Sequence, residues 1–127
     1  DESLAILSRT PATLNALLRD LPEAWTSVTE GPETWSAYDV IGHLNHGEKV
    51  DGMARLRIIL EEGPGRPFDP FDREAQFRDS QGKPLNVLLD EFTALREDNV
   101  ERLKALEPKL GLVEPATVSA LFGARRP

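Results

Sequence analysis

The residues best equipped for chemistry in this sequence are its only two histidines, His43 and His46, and an aspartate one turn ahead of them, Asp39. Positions three and four apart are neighbours on a helix surface, so Asp39, His43 and His46 can converge on one divalent cation. Two features pull the other way. A catalytic zinc takes three protein ligands and keeps an open position, and the familiar helical histidine pair is spaced four apart, not three. Asp39 also has a structural use, because it stands three residues after Ser36 and completes a capping box. The residues alone leave two readings open: a metal site, or a partly buried His43 beside a solvated His46.

Elsewhere the chemical vocabulary is thin. With no cysteine there is no thiolate nucleophile and no Cys-ligated zinc, so any thiol chemistry needs a thiol from another molecule. Neither a Gly-rich phosphate loop nor a Gly-x-Ser-x-Gly turn occurs. Asp69, Asp72, Arg73 and Glu74 can serve as acid, base or cation ligand, or simply as a solvated loop face. Glu97, Asp98 and Glu101 fit an ordinary helix exterior.

The histidines need a helix to hold them, and the sequence supplies one. Ser36 caps it, Trp35 and Val40 take the two positions of a hydrophobic staple, and Gly63-Pro64 stops it, which predicts a helix from Ala37 to Glu62. Val40 and Leu44 then carry His43 toward the core, with Met53, Leu56, Ile59 and Leu60 continuing the apolar face. Gly47 and Gly52 lie inside this helix, each costing about 1 kcal/mol against alanine, and mark tight helix packing or a ligand's approach. Before it, Leu4, Leu7, Leu14, Leu17 and Leu18 recur at helical spacing over Ser3 to Arg19, with a kink at Thr10-Pro11. After it comes a stretch from Gly63 to Lys83 rich in Pro, Gly and Asp, with Phe68, Phe71 and Phe77 spaced along it and a short helical piece from Asp69-Pro70 through Gln76. Pro84 opens a long helix ending near Glu107-Pro108, whose apolar stripe is Leu85, Leu88, Leu89, Phe92, Leu95, Leu103 and Leu106. Glu91, Arg96, Glu97, Glu101, Arg102 and Lys104 fall largely on its other side. A short helix from Pro115 to Phe122 closes the chain. No alternating strand pattern occurs, so the class is all-α.

At 127 residues the sequence reads as a single domain, 1–127. Its 15 basic and 22 acidic residues give a net charge of −7, and its one basic pair is Arg125-Arg126, which argues against nucleic acid and anionic membranes as partners. No apolar run approaches the roughly 20 residues that span a bilayer, and Leu4 to Leu7 lacks the cationic flank of a signal peptide. A cytoplasmic location is the expectation. Because residue 1 is Asp, a segment removed or left out ahead of it is expected.

The set WSAYDVIGHLNHGE, followed by PFDPFDREAQF and then PLNVLLDEFTALREDN, closely resembles the DinB-like (YfiT-like) superfamily of four-helix-bundle metal-dependent hydrolases and thiol-dependent S-transferases. There a segment like W-S-x-x-x-V-x-x-H-L-x-x-x-E forms the second helix. The resemblance covers roughly Leu4 to Leu106 and implies an up-down-down-up bundle with a long loop between helices two and three. It implies that His43 is the first of three histidine ligands to a divalent ion, zinc or nickel. His46 falls where many members carry an acidic residue, and Glu48 matches the glutamate that closes the motif. Family members take their other two ligands from a fourth long helix with a His-x-x-x-His-like pair, whereas no histidine follows His46 here. The segment Lys109 to Phe122 begins like the lead-in to that helix and runs out into GARRP, so the bundle is expected to be C-terminally incomplete, by truncation or an altered frame. A second helix of 26 residues spans about 39 Å, against about 12 Å for Pro115 to Phe122. That mismatch leads to the expectation of a homodimer, with a second copy covering the exposed flank.

Two functions follow as expectations. The first is metal-dependent hydrolase or thiol-dependent transferase chemistry on small molecules, with one of the three expected ligands present to hold the ion. The second is a non-catalytic helical dimerisation module in which His43 is a core residue.

Overall fold

The computed structural model describes residues 2–63 and 74–110, and every described element is helical. In order they are α1 (Glu2–Leu18), α2 (Glu23–Thr26), α3 (Ala37–Val50), α4 (Gly52–Glu62), α5 (Ala75–Ser80) and α6 (Leu85–Leu110). The expected piece from Asp69-Pro70 lies mostly outside the described residues, as does the short helix from Pro115 to Phe122.

α6 is the element that α1, α3 and α4 pack on, and side-chain bonds fix the directions of α1 and α3. Along α3, Tyr38 reaches the Lys83 carbonyl just ahead of α6, Asn45 the Leu88 carbonyl, and Glu48 both Arg96 and Asn99. Numbers rise together on both sides, so α3 and α6 run parallel. On α1 and the residue that follows it they fall as α6 rises: Arg19 meets Asn86, Asn15 meets Thr93, and the Leu7 carbonyl meets Arg96. α1 is therefore antiparallel to both. This is the first three-quarters of an up-down-down-up bundle, and the parallel middle pair is what the long connection between them requires.

Two core clusters lie along the seam. Leu56, Ile59 and Leu103 pack with Leu4, Leu7, Met53, Leu60 and Leu106 at one end. Ile41, Leu88 and Leu89 pack with Leu14, Leu18, Tyr38, Leu44 and Leu85 at the other. Phe92 is wholly buried. The leucine stripe expected for α6 is thus its inner face.

Three features depart from the sequence expectation. The predicted Ala37 to Glu62 helix is interrupted at Asp51, whose ψ of −89° leaves helical space, and resumes at Gly52. A glycine on the far side of an aspartate weakens the helix there, and the Asp51–Arg55 ion pair supports the restart. Val40 is 41% exposed, because the inward face runs through Ile41 instead. α6 continues through Pro108 to Leu110, proline's fixed φ being compatible with a helix although its missing N–H and its ring both weaken the turn. Elsewhere α1 is one helix through Pro11, and the Gly63 stop holds: α4 ends on Gly63 at φ +79°, its N–H donating to the Ile59 carbonyl.

Candidate site around His43

The start of α3 is built as its sequence indicates. Asp39 N–H donates to Ser36 Oγ at 3.1 Å, and Ser36 N–H donates back to Asp39 Oδ2 at 3.0 Å. The Asp39 carboxylate thereby belongs to the cap. One turn on, His43 is half-buried and faces α5. Its Nδ1 lies 2.9 Å from Gln76 Oε1, and its ring lies 4.9 Å from the Trp35 ring, tilted by 52°. Phe77 meets Trp35 edge-on at 6.3 Å. Trp35, His43 and Phe77 form one aromatic patch where the chain enters α3 and passes through α5.

Gln76 is the residue that sequence reasoning missed. It is 1% exposed and spans the α3/α5 junction, its Nε2 donating to the Asp39 carbonyl at 3.2 Å while its Oε1 faces His43. Ser80 Oγ donates to the Gln76 carbonyl at 2.5 Å, and Tyr38 Oη lies 2.5 and 2.7 Å from the Ser80 and Lys83 carbonyl oxygens, with one phenolic proton to serve both. Gly42 permits this approach: a Cβ there would lie 3.0 Å from Ser80 Oγ. Tight packing thus occurs at Gly42, five residues before Gly47, where a Cβ would meet nothing within 4 Å. The only local cue to Gln76 was its place at the end of the predicted loop helix.

His46 corrects the sequence expectation of a solvated ring, because it is 5% exposed. Asp79 approaches its Nδ1 at 4.0 Å. Helical geometry explains the reversal: the short α5 lies over the face that carries Gly42, His43 and His46, so the three-residue spacing places both histidines beneath it. Glu48, the acidic end of the motif, is committed elsewhere. Oε1 accepts from Arg96 Nε and Nη2 at 3.0 and 2.7 Å, and Oε2 accepts from Asn99 at 2.9 Å.

Among the described residues no three His, Cys, Asp or Glu side chains form a group able to hold a metal ion. His43 itself fits an imidazole ligand, with one ring nitrogen held by an oxygen acceptor, as metal-bound histidines commonly are. Asp39 fits less well, because its carboxylate is engaged in the cap. A groove of about 650 Å³ between α4 and α6, lined by Met53, Arg57, Leu60, Leu95 and Leu106 among others, does not include His43. No helix among the described residues is long and apolar enough to cross a membrane.

No curated protein matches the sequence. The sequence profile of the DinB superfamily matches residues 6–122, which takes in every element around His43. On that match, and with an all-helical bundle of the wiring just described, the chain belongs to the DinB superfamily.

Proposed function

We propose that His43 is the metal-facing residue of a site for small-molecule chemistry, hydrolytic or thiol-dependent, with zinc or nickel as the ion. The observation that supports this most is the 2.9 Å contact between His43 Nδ1 and the buried Gln76 amide, the kind of outer bond that orients a ligating imidazole. When bound, the ion supplies Lewis acidity, polarising a carbonyl or making a bound water or external thiol nucleophilic near neutral pH. The chain's own contribution is orientation. Trp35 and Gln76 hold the His43 ring from two sides, and Trp35 with Phe77 offers an apolar wall to a small substrate. Remaining ligand positions fall to water or an external thiol. Full catalytic zinc sites use three protein ligands, so a site resting on His43 is weak and exchangeable.

Isothermal titration of zinc and nickel into the chain and into His43→Ala tests the reading. Saturable binding that disappears in His43→Ala, with helicity unchanged, supports it; equal binding by both chains, or none, refutes it.

A second reading is a non-catalytic helical dimerisation module. It is favoured by the structural commitments of Asp39 and Glu48, the two carboxylates flanking the histidines. Sedimentation showing a dimer that survives His43→Ala, together with a silent titration, would establish it over the first.

A further inference from the structure

We infer that Gln76 is a positioning residue that fixes the proton of His43 on Nδ1 and so directs the ring's lone pair through Nε2. The inference deepens the metal reading above and rests on it for its functional meaning, though the tautomer itself does not require a metal. Hydrogen-bond chemistry leaves one assignment. The two ends of the Gln76 amide face different partners, the Asp39 carbonyl at 3.2 Å and His43 Nδ1 at 2.9 Å. A carbonyl only accepts, so the end that meets Asp39 is the NH₂. The end that meets His43 is then the oxygen, and Nδ1 must donate to it. A neutral imidazole has one N–H, so Nε2 carries the lone pair.

The amide cannot easily turn over. Gln76 is 1% exposed, and flipping it would set its oxygen against the Asp39 carbonyl. Its backbone is held as well, by the Ser80 hydroxyl on its carbonyl, which sits close because residue 42 lacks a Cβ. Sequence placed His43 on α3, but the state of its ring is set by a residue 33 positions away on α5.

The test reads the ring before any metal. Long-range ¹H–¹⁵N correlation spectra of the metal-free chain, at a pH well above the histidine range, should show His43 as the Nδ1–H tautomer. In Gln76→Met, close in size but unable to accept that bond, the spectrum should move to a mixture rich in Nε2–H. Gln76→Glu, which keeps an acceptor, should hold the proton on Nδ1, and circular dichroism establishes that each variant is folded. An Nε2–H ring in the parent chain, or a folded Gln76→Met with the tautomer unchanged, overturns the inference. Zinc titration then separates it from the metal reading. Outer-shell partners typically change metal affinity by about 10- to 100-fold, so Gln76→Met should weaken binding on that scale and Gln76→Glu restore it. An Nδ1–H ring in a chain that binds no zinc upholds Gln76's role and refutes the metal reading alone.

Discussion

Arg96→Met should be among the most damaging substitutions in this bundle, and a partner change at Pro11 should reveal why. The Arg96 guanidinium donates from Nε and Nη2 to Glu48 Oε1, and from Nη1 to the Leu7 carbonyl at 3.1 Å. It also lies 4.9 Å from the centre of the Phe92 ring. Three helices are tied through this one side chain. The Arg96 and Glu48 side chains are only 12% and 15% exposed. Removing one member of a buried ion pair costs about 3–5 kcal/mol, because the other charge stays behind in a poor solvent. Asn99 still donates to Glu48, which places the expected loss near the bottom of that range, about 3 kcal/mol.

The Leu7 carbonyl adds a separable part. Four residues later, the position that would donate to it within α1 is Pro11, which has no N–H. Arg96 stands in for the missing donor. Pro11→Ala restores that donor, so Arg96→Met should cost about 1 kcal/mol less in the Pro11→Ala background, the net worth of one hydrogen bond. Urea unfolding of the parent, both single variants and the double variant, followed by far-ultraviolet circular dichroism, gives the coupling directly. Independent sites add within about 0.3–0.5 kcal/mol, and additivity to that margin would refute the substitution of Arg96 for the proline donor.

The rest of the structure gives shorter tests. Ser36→Ala removes the acceptor for Asp39 N–H and should destabilise the chain by about 1 kcal/mol in the same assay; no loss would mean the capping box is idle. Gly42→Ala puts a methyl group 3.0 Å from Ser80 Oγ and should cost about 1–3 kcal/mol, with the cost reduced in a Ser80→Ala background. Burial, and after it the Asp39 carboxylate, push the Tyr38 phenol above its usual range. The folded chain then holds this proton more tightly than the unfolded one, so the stabilisation is complete below about pH 10 and is lost as pH rises through the folded value. Tyr38 is the sole tyrosine, so phenolate absorbance reports it alone, and Tyr38→Phe should flatten the alkaline fall in stability. Lys83, pushed up chiefly by its hydrogen bond to Glu91, leaves some slope in the same window.

What the sequence disclosed was local. The Ser36 cap, the Gly63 stop and the leucine stripe of α6 each depend on residues within a turn or two of one another, and each is present in the fold. Arg96 shows the limit of that logic. Its flanking pattern places it among exterior charges, yet a long side chain can turn inward when an acid on a parallel helix and an unpaired carbonyl on an antiparallel one meet at the same height. Neither partner is near Arg96 in sequence. His46 failed for the same reason, since what buries it is the turn of chain around α5, and no periodicity within α3 announces that cover.

The two histidines therefore differ in a way that spacing could not show. Both lie on the face of α3 that α5 covers, but His43 remains half-buried with a neutral amide on Nδ1, while His46 is buried with a carboxylate 4.0 Å from its own Nδ1. A half-buried ring can be reached by an incoming ion while its Gln76 partner orients it, whereas a ring only 5% exposed offers little access. If either histidine serves a cation, exposure selects His43, and Gln76 orients its ring. The ligand question thus turns on an α3/α5 contact that Gly42 and Ser80 make possible, so Gly42→Ala should disturb metal binding at His43 as well as stability. A Gly42→Ala chain that loses stability yet titrates zinc like the parent would show that the two are independent.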